Sequence, residues 1–127
     1  MNQNVTYWLD LATEDIDVAR GLLGIGKLLY CGFMCHLVTE KGLKAIIQNN
    51  GATPPKIHDL VKLAKQGGVY SKMDDKQKDF LEVLLPLQIE ARYPSHKDNV
   101  AASLTKSRCK EILEETELLL KWIEQQL

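Results

Sequence analysis

Apolar residues at Val5, Trp8, Leu9, Ala12, Ile16, Ala19 and Leu23 recur at the three- and four-residue spacing that lines one face of an α-helix. Asp10, Glu14, Asp17 and Arg20 take the opposite face, so the pattern predicts a first helix over about Val5 to Leu23. Gly21, Gly24 and Gly26 then loosen the chain and end it. Their order, G-x-x-G-x-G, is not the dinucleotide fingerprint and no strand precedes it, so a turn is expected there. A second helix is predicted from about Leu28 to Gln48. Its first half (Leu28, Leu29, Tyr30, Phe33, Met34, Leu37, Val38) is apolar nearly all round, as in a helix buried between several neighbours. Its second half carries Glu40, Lys41 and Lys44. Glu40 and Lys44 stand i, i+4 in the favourable order, a pair worth ~0.3–0.5 kcal/mol on a solvated face. Asn49-Asn50-Gly51 supplies the stop, and Pro54-Pro55 marks a loop.

A short helix is predicted over about Asp59 to Lys65, ended by Gly67-Gly68. Either Asp74 or Ser71 caps the next helix, each with a polar partner three residues on, Gln77 or Asp74. Phe80, Leu81, Leu84 and Leu85 form its apolar side. Pro86 predicts a kink or restart, and the segment should end at Arg92-Tyr93-Pro94, because a residue before proline avoids the α region. A last helix begins between Asn99 and Thr105. Cys109, Ile112, Leu113, Thr116, Leu119, Leu120, Ile123 and Leu127 repeat along it at helical spacing. No segment alternates strongly enough to read as a strand. The expected fold is all-α, an antiparallel bundle of four long helices plus a short one, with residues 1–127 as a single domain and no internal repeat or linker.

Composition narrows the function classes. The 127 residues are 45% hydrophobic and 26% charged, an ordinary globular mix that argues against disorder. The formal charge is −1, so bulk charge by itself points to neither a nucleic-acid nor a membrane partner. The longest apolar run, Leu28–Cys35, is far shorter than the ~20 residues of a membrane helix. Met1–Asn4 is neither basic nor followed by an apolar stretch, so no signal peptide is expected. Three cysteines form too small and odd a set for a secreted disulfide scaffold and favour a reducing cytoplasm.

Local charge says more than the total. Arg92 to Lys110 carries Arg92, Lys97, Lys106, Arg108 and Lys110 against Asp98 alone. Lys56 to Lys72 carries Lys56, Lys62, Lys65 and Lys72 against Asp59, whereas the end from Glu111 sets five glutamates against Lys121. The last helix is thus basic early and acidic late, the reverse of what its macrodipole prefers. Two explanations stay open: an anion site near Arg92–Lys110, or charges that merely keep a face wet.

Arg92-Tyr93-Pro94-Ser95-His96 gathers a permanent cation, a phenol, a hydroxyl and an imidazole at a predicted helix break. Such a set suits phosphodiester chemistry. Arginine holds a phosphate with two parallel hydrogen bonds, and histidine moves protons near neutral pH. Pro94 at the first position of a following helix would point backbone amides at an anion. The competing reading is a surface turn in which Tyr93 packs and Arg92 pairs with a carboxylate. Cys31 and Cys35 share a helix face beside His36, but two ligands leave a zinc site incomplete, so they read as core thiols, as does Cys109. In His58-Asp59-Leu60, Asp59 is a helix cap. His58 either bonds a loop carbonyl or adds a polar group to a shared pocket.

Three stretches resemble the HEPN domains (higher eukaryotes and prokaryotes nucleotide-binding). Phe33-Met-Cys-His-Leu-Val-Thr-Glu40-Lys41-Gly-Leu43-Lys44-Ala45 is similar to the family's F-x-x-Q-Q-x-x-E-K-x-L-K-A helix, Pro55-Lys-Ile-His58-Asp59-Leu60 to its P-x-x-H-D-L turn, and Arg92-Tyr93-Pro94 to the motif of its small members. The family's Gln-Gln pair is His36-Leu37 here. Arg92 and His96 are three residues apart, against four to six in the ribonuclease members. The resemblance implies a helical bundle, usually a homodimer, that binds nucleotide or RNA. It also implies a two-gene toxin–antitoxin-like module with a separate minimal nucleotidyltransferase, whose own motif is absent here. The alternatives are a metal-independent endoribonuclease toxin using Arg92 and His96 as the catalytic pair, and a non-catalytic dimeric adaptor. The candidate nucleotide- or RNA-binding residues are Arg92, Tyr93, Ser95 and Lys97, with Lys106 and Arg108 as cleft walls and Lys44 and His58 as further contacts. No metal or other cofactor is expected.

Overall fold

The computed structural model describes residues 2–92 and 104–127, with side chains for all of these except 89–92. Asn2 opens the first helix: its side-chain oxygen accepts the Val5 N–H at 2.9 Å, satisfying one of the amides a helix start leaves unpaired. Helix α1 spans Gln3–Gly24, and Val5, Ala12, Ile16 and Ala19 of its predicted stripe are buried. The chain reverses at Ile25–Lys27, where Gly26 adopts φ 78°, a left-handed conformation that a Cβ would strain. Helix α2, Leu28–Asn49, follows and is the spine of the molecule, touching every other helix. Asp59 caps the short helix α3, Leu60–Gln66, by accepting the Lys62 N–H at 3.1 Å. A single 3-10 turn, Tyr70–Lys72, leads to α4, Asp75–Arg92. Of the two caps the sequence offered for α4, Asp74 is used. Its carboxylate accepts the Gln77 N–H at 2.7 Å while the Gln77 side chain accepts the Asp74 N–H at 3.0 Å, a reciprocal capping box. Helix α5, Lys106–Gln125, starts from Thr105, whose hydroxyl accepts the Arg108 N–H at 3.0 Å.

Cross-helix contacts give the directions. The Cys109 thiol donates to the Leu28 carbonyl near the starts of α5 and α2, and Gly42 lies against Leu120 and Ile123 near their ends, so these helices run together. Leu87 of α4 packs on Gly32 of α2, and Lys76 of α4 pairs with Glu115 of α5 at 3.6 Å, so α4 runs against both. Lys41 of α2 pairs with Asp15 of α1, and Arg20 of α1 with Glu117 of α5 at 3.2 Å. The described residues thus form an all-α antiparallel bundle of four long helices plus a short one, with α1 and α4 pointing one way and α2 and α5 the other. Gly42 permits the close approach of α2 and α5. A Cβ there would sit 3.2 Å from both the Leu120 and Ile123 methyls.

Three features depart from, or sharpen, what the chain's pattern suggests. Of the kink or restart expected at Pro86, no restart occurs: α4 is helical on both sides of it. Pro86 and Glu82 are exposed, so the Glu82 carbonyl that loses its i+4 partner faces water rather than the core. The Glu40–Lys44 pair is buried, not solvated, because α1 and the loop before α3 cover that side of α2. Cys31, Cys35 and Cys109 are free thiols in the core, as their apolar positions predict. Among the described residues, no helix is long and apolar enough to cross a membrane.

Candidate functional site

Two separate regions hold the polar chemistry. The first is the end of the bundle where α4 finishes at Arg92 and α2 and α5 begin. Neither α2 nor α5 has an acidic residue in its first turn, so the partial positive charge of each helix start is left uncompensated. Exposed Lys27 and Lys106 stand at these two starts. Arg108, in the first turn of α5, faces the groove between α4 and α5. Its guanidinium contacts Glu111 at 3.4 Å and lines a surface pocket with Asp79, Phe80 and Val83 of α4. Val83 precedes Arg92 by nine residues, about 13 Å of helix. Lys106 stands at the start of α5, whereas Arg108 faces that groove. The Arg92 side chain, and Tyr93, Ser95, His96 and Lys97, lie outside the described residues.

The second region is centred on Glu40, in the middle of α2 and only 5% exposed. One carboxylate oxygen accepts from Nδ1 of His58 at 2.9 Å and has Nδ1 of His36 at 3.7 Å; the other accepts from the Lys44 ammonium at 3.1 Å. Lys44 is 7% exposed and its ammonium stands 5.7 Å from the centre of the Trp8 ring of α1. A carboxylate only accepts hydrogen bonds, so His58 carries its proton on Nδ1 towards Glu40 and keeps the Nε2 lone pair when neutral. His58 remains 48% exposed, and its ring thus joins a buried charge to the surface. The cluster fastens α1 and the loop before α3 to the same face of α2.

Of the residues the sequence singled out, Glu40 and Lys44 pair as their spacing predicts, and His58 joins them from the loop before α3, a contact the sequence did not foresee. The signal for a polar cluster was present: His36, Glu40 and Lys44 recur every four residues, a polar stripe on a helix otherwise buried on most sides. Leu87 packs on Gly32, Arg92 lies five residues beyond Leu87, and Glu40 lies eight residues from Gly32 in the other direction. The two regions are thus about 20 Å apart along the bundle axis. Lys44 and His58 therefore lie far along the bundle from the Arg92 backbone. Among the described residues, no group of three or more His, Cys, Asp or Glu side chains is arranged to hold a metal ion.

The architecture is that of a small antiparallel helical bundle with a polar motif buried on its second helix. The chain belongs to the HEPN family: the family model of the HEPN domain matches residues 5–126. Among solved structures, the chain is similar to the crystal structure of TT1696 from Thermus thermophilus, with a TM-score of 0.84 and 23% identity, covering 100% of each chain; at that identity the likeness is one of fold. No curated protein matches the chain. Membership of the HEPN family supports a nucleotide- or RNA-related function in general.

Proposed function

We propose that this HEPN protein binds the phosphate of a nucleotide or of RNA at the end of the bundle where α4 finishes and α2 and α5 begin. The observation that carries the reading is electrostatic: two long helices start side by side there with no acidic residue in either first turn, flanked by Lys27 and Lys106 and by the backbone of Arg92. Helix starts of this kind offer unpaired N–H groups to an anion, and lysines add charge. Tyr93, Ser95, His96 and Lys97 continue the chain from Arg92 and belong to this proposed site. The protein works as a homodimer in a two-gene, toxin–antitoxin-like module with a minimal nucleotidyltransferase, the arrangement its family resemblance implies.

Titrating the full chain with AMP and with a single-stranded RNA, alone and after co-expression with a nucleotidyltransferase encoded beside it, tests both parts. Binding weakened by Arg92→Ala together with Lys106→Gln, and a stable two-protein complex, are expected. Affinity unchanged in that variant would remove the site, and failure to form any complex would remove the module. RNA cleavage in EDTA that disappears in His96→Ala would replace binding with catalysis.

A further inference from the structure

The basic stretch Lys56–Lys72 has no part in the site proposed above, yet its end makes an unusual contact. The ammonium of Lys65, at the end of α3, stands 5.2 Å from the centre of the Tyr70 ring, and that of Lys78, in the first turns of α4, stands 4.9 Å from it. The two charges are therefore no more than about 10 Å apart. Neither has a carboxylate within ion-pair distance among the described residues, although Asp74 and Asp75 begin the same helix. The Asp74 carboxylate is occupied with the Gln77 N–H.

One ammonium on the ring would suffice to clip the 3-10 turn to its neighbour. A second gains from the same ring, and the repulsion between charges up to about 10 Å apart in water is small, so the ring holds two ammonium groups in place with no described carboxylate paired to either. Lys62 and Lys72, both exposed, extend the positive character to either side. The ring already carries two cations, so it serves as a rigid spacer rather than as a stacking surface for a base. A phosphodiester chain matches this chemistry, since it offers repeated single charges and needs no base-specific group to be bound.

We propose that Lys65 and Lys78, held on Tyr70, form a second contact for the backbone of an RNA strand. This rests on the nucleotide or RNA reading above and chooses within it: the ligand is a polymer. Lys78 precedes Arg92 by fourteen residues of continuous helix, about 21 Å. A mononucleotide fills only the far end of α4, whereas a strand laid along the molecule meets both ends.

The test is fluorescence anisotropy on the full chain with a labelled oligouridylate of about 15 nucleotides, beside AMP binding measured by calorimetry. Lys65→Gln/Lys78→Gln should weaken the oligonucleotide at least tenfold and lower its salt slope by about 1.4, the value for two lost single-strand phosphate contacts. AMP affinity should stay unchanged, and Lys65→Arg/Lys78→Arg should retain oligonucleotide binding. Oligonucleotide affinity within twofold of wild type in the glutamine variant overturns the proposal. So does a wild type that ignores the oligonucleotide and binds polyglutamate, which would assign the patch to an acidic protein. If Lys27→Gln/Lys106→Gln abolishes AMP binding while Lys65→Gln/Lys78→Gln changes nothing, the end site stands and this second contact falls. If AMP binding is untouched by Lys27→Gln/Lys106→Gln, the end site falls by itself.

Discussion

Glu40 is the residue on which most of the polar interior depends. Its two oxygens satisfy Lys44 and His58, and it lies in the core of a helix contacted from several sides. Removing one partner of a buried pair leaves the other charge desolvated and alone, which typically costs about 3–5 kcal/mol. Glu40→Gln should therefore lower the unfolding free energy in urea by about that much. Glu40→Leu/Lys44→Met should cost markedly less, because it removes both charges and keeps the volume. If the single and double variants were equally unstable, the pair would not be coupled as its 3.1 Å contact implies.

Cys109 gives a pH prediction at the same scale. Burial, with the Cys31 thiol beside it, pushes the Cys109 thiol up to about 11 from an ordinary 9.0. A raised folded-state value means that the unfolded chain loses its proton first as pH rises. The contribution is therefore intact below pH 9 and is lost between about 9 and 11. The stability advantage of wild type over Cys109→Ala should shrink by about 2–3 kcal/mol across that window, read from denaturation curves at each pH. An advantage independent of pH would show that the thiol titrates normally.

At the scale of elements, α4 is the helix in which local preference and observed structure disagree. Proline inside a helix removes a hydrogen bond and crowds the preceding turn, a cost of about 3 kcal/mol. Helix α4 nevertheless continues through Pro86 to Arg92. The explanation lies in orientation: Leu81, Leu84 and Leu87 are buried, while Glu82, Leu85 and Pro86 are exposed. The apolar stripe holds the helix down, and the broken backbone position is hydrated. Pro86→Ala should raise stability by about 1–3 kcal/mol, seen as a higher midpoint of thermal unfolding. A neutral result would mean that the helix is already relaxed around the ring.

For the whole molecule, directionality decides where charge accumulates. Helices α2 and α5 run parallel, so their starts fall at one end, together with the finish of α4. The starts add partial positive charge to Lys27 and Lys106. Binding of an anionic ligand there should weaken as salt rises, and Lys27→Gln/Lys106→Gln should flatten that dependence. Measuring affinity for a short RNA over a range of potassium chloride concentrations checks this. An unchanged slope in the variant would show that the end of the bundle is not the electrostatic contact.

The helices were legible in the chain because each carries its own instructions. The 3.6-residue apolar stripe of α1, the caps Asp59 and Asp74, and the glycines at 26, 51 and 68 act through neighbours a few residues away. The same holds for the burial of Cys31, Cys35 and Cys109, which occupy apolar positions on their own helices. The Glu40–Lys44 pair was legible from its spacing, but the arrival of His58 at Glu40 was not, since it joins groups 18 residues apart across a loop. Nor could the sequence say that the Glu40–Lys44 pair is buried: an i, i+4 pair looks the same on a solvated face as on one covered by Trp8. The chain by itself determined which segments are helical, where they start, and which family they belong to, because those depend on local periodicity and short motifs. Only the tertiary structure decided that the polar residues divide into two regions about 20 Å apart, because helix direction and packing register depend on the whole core.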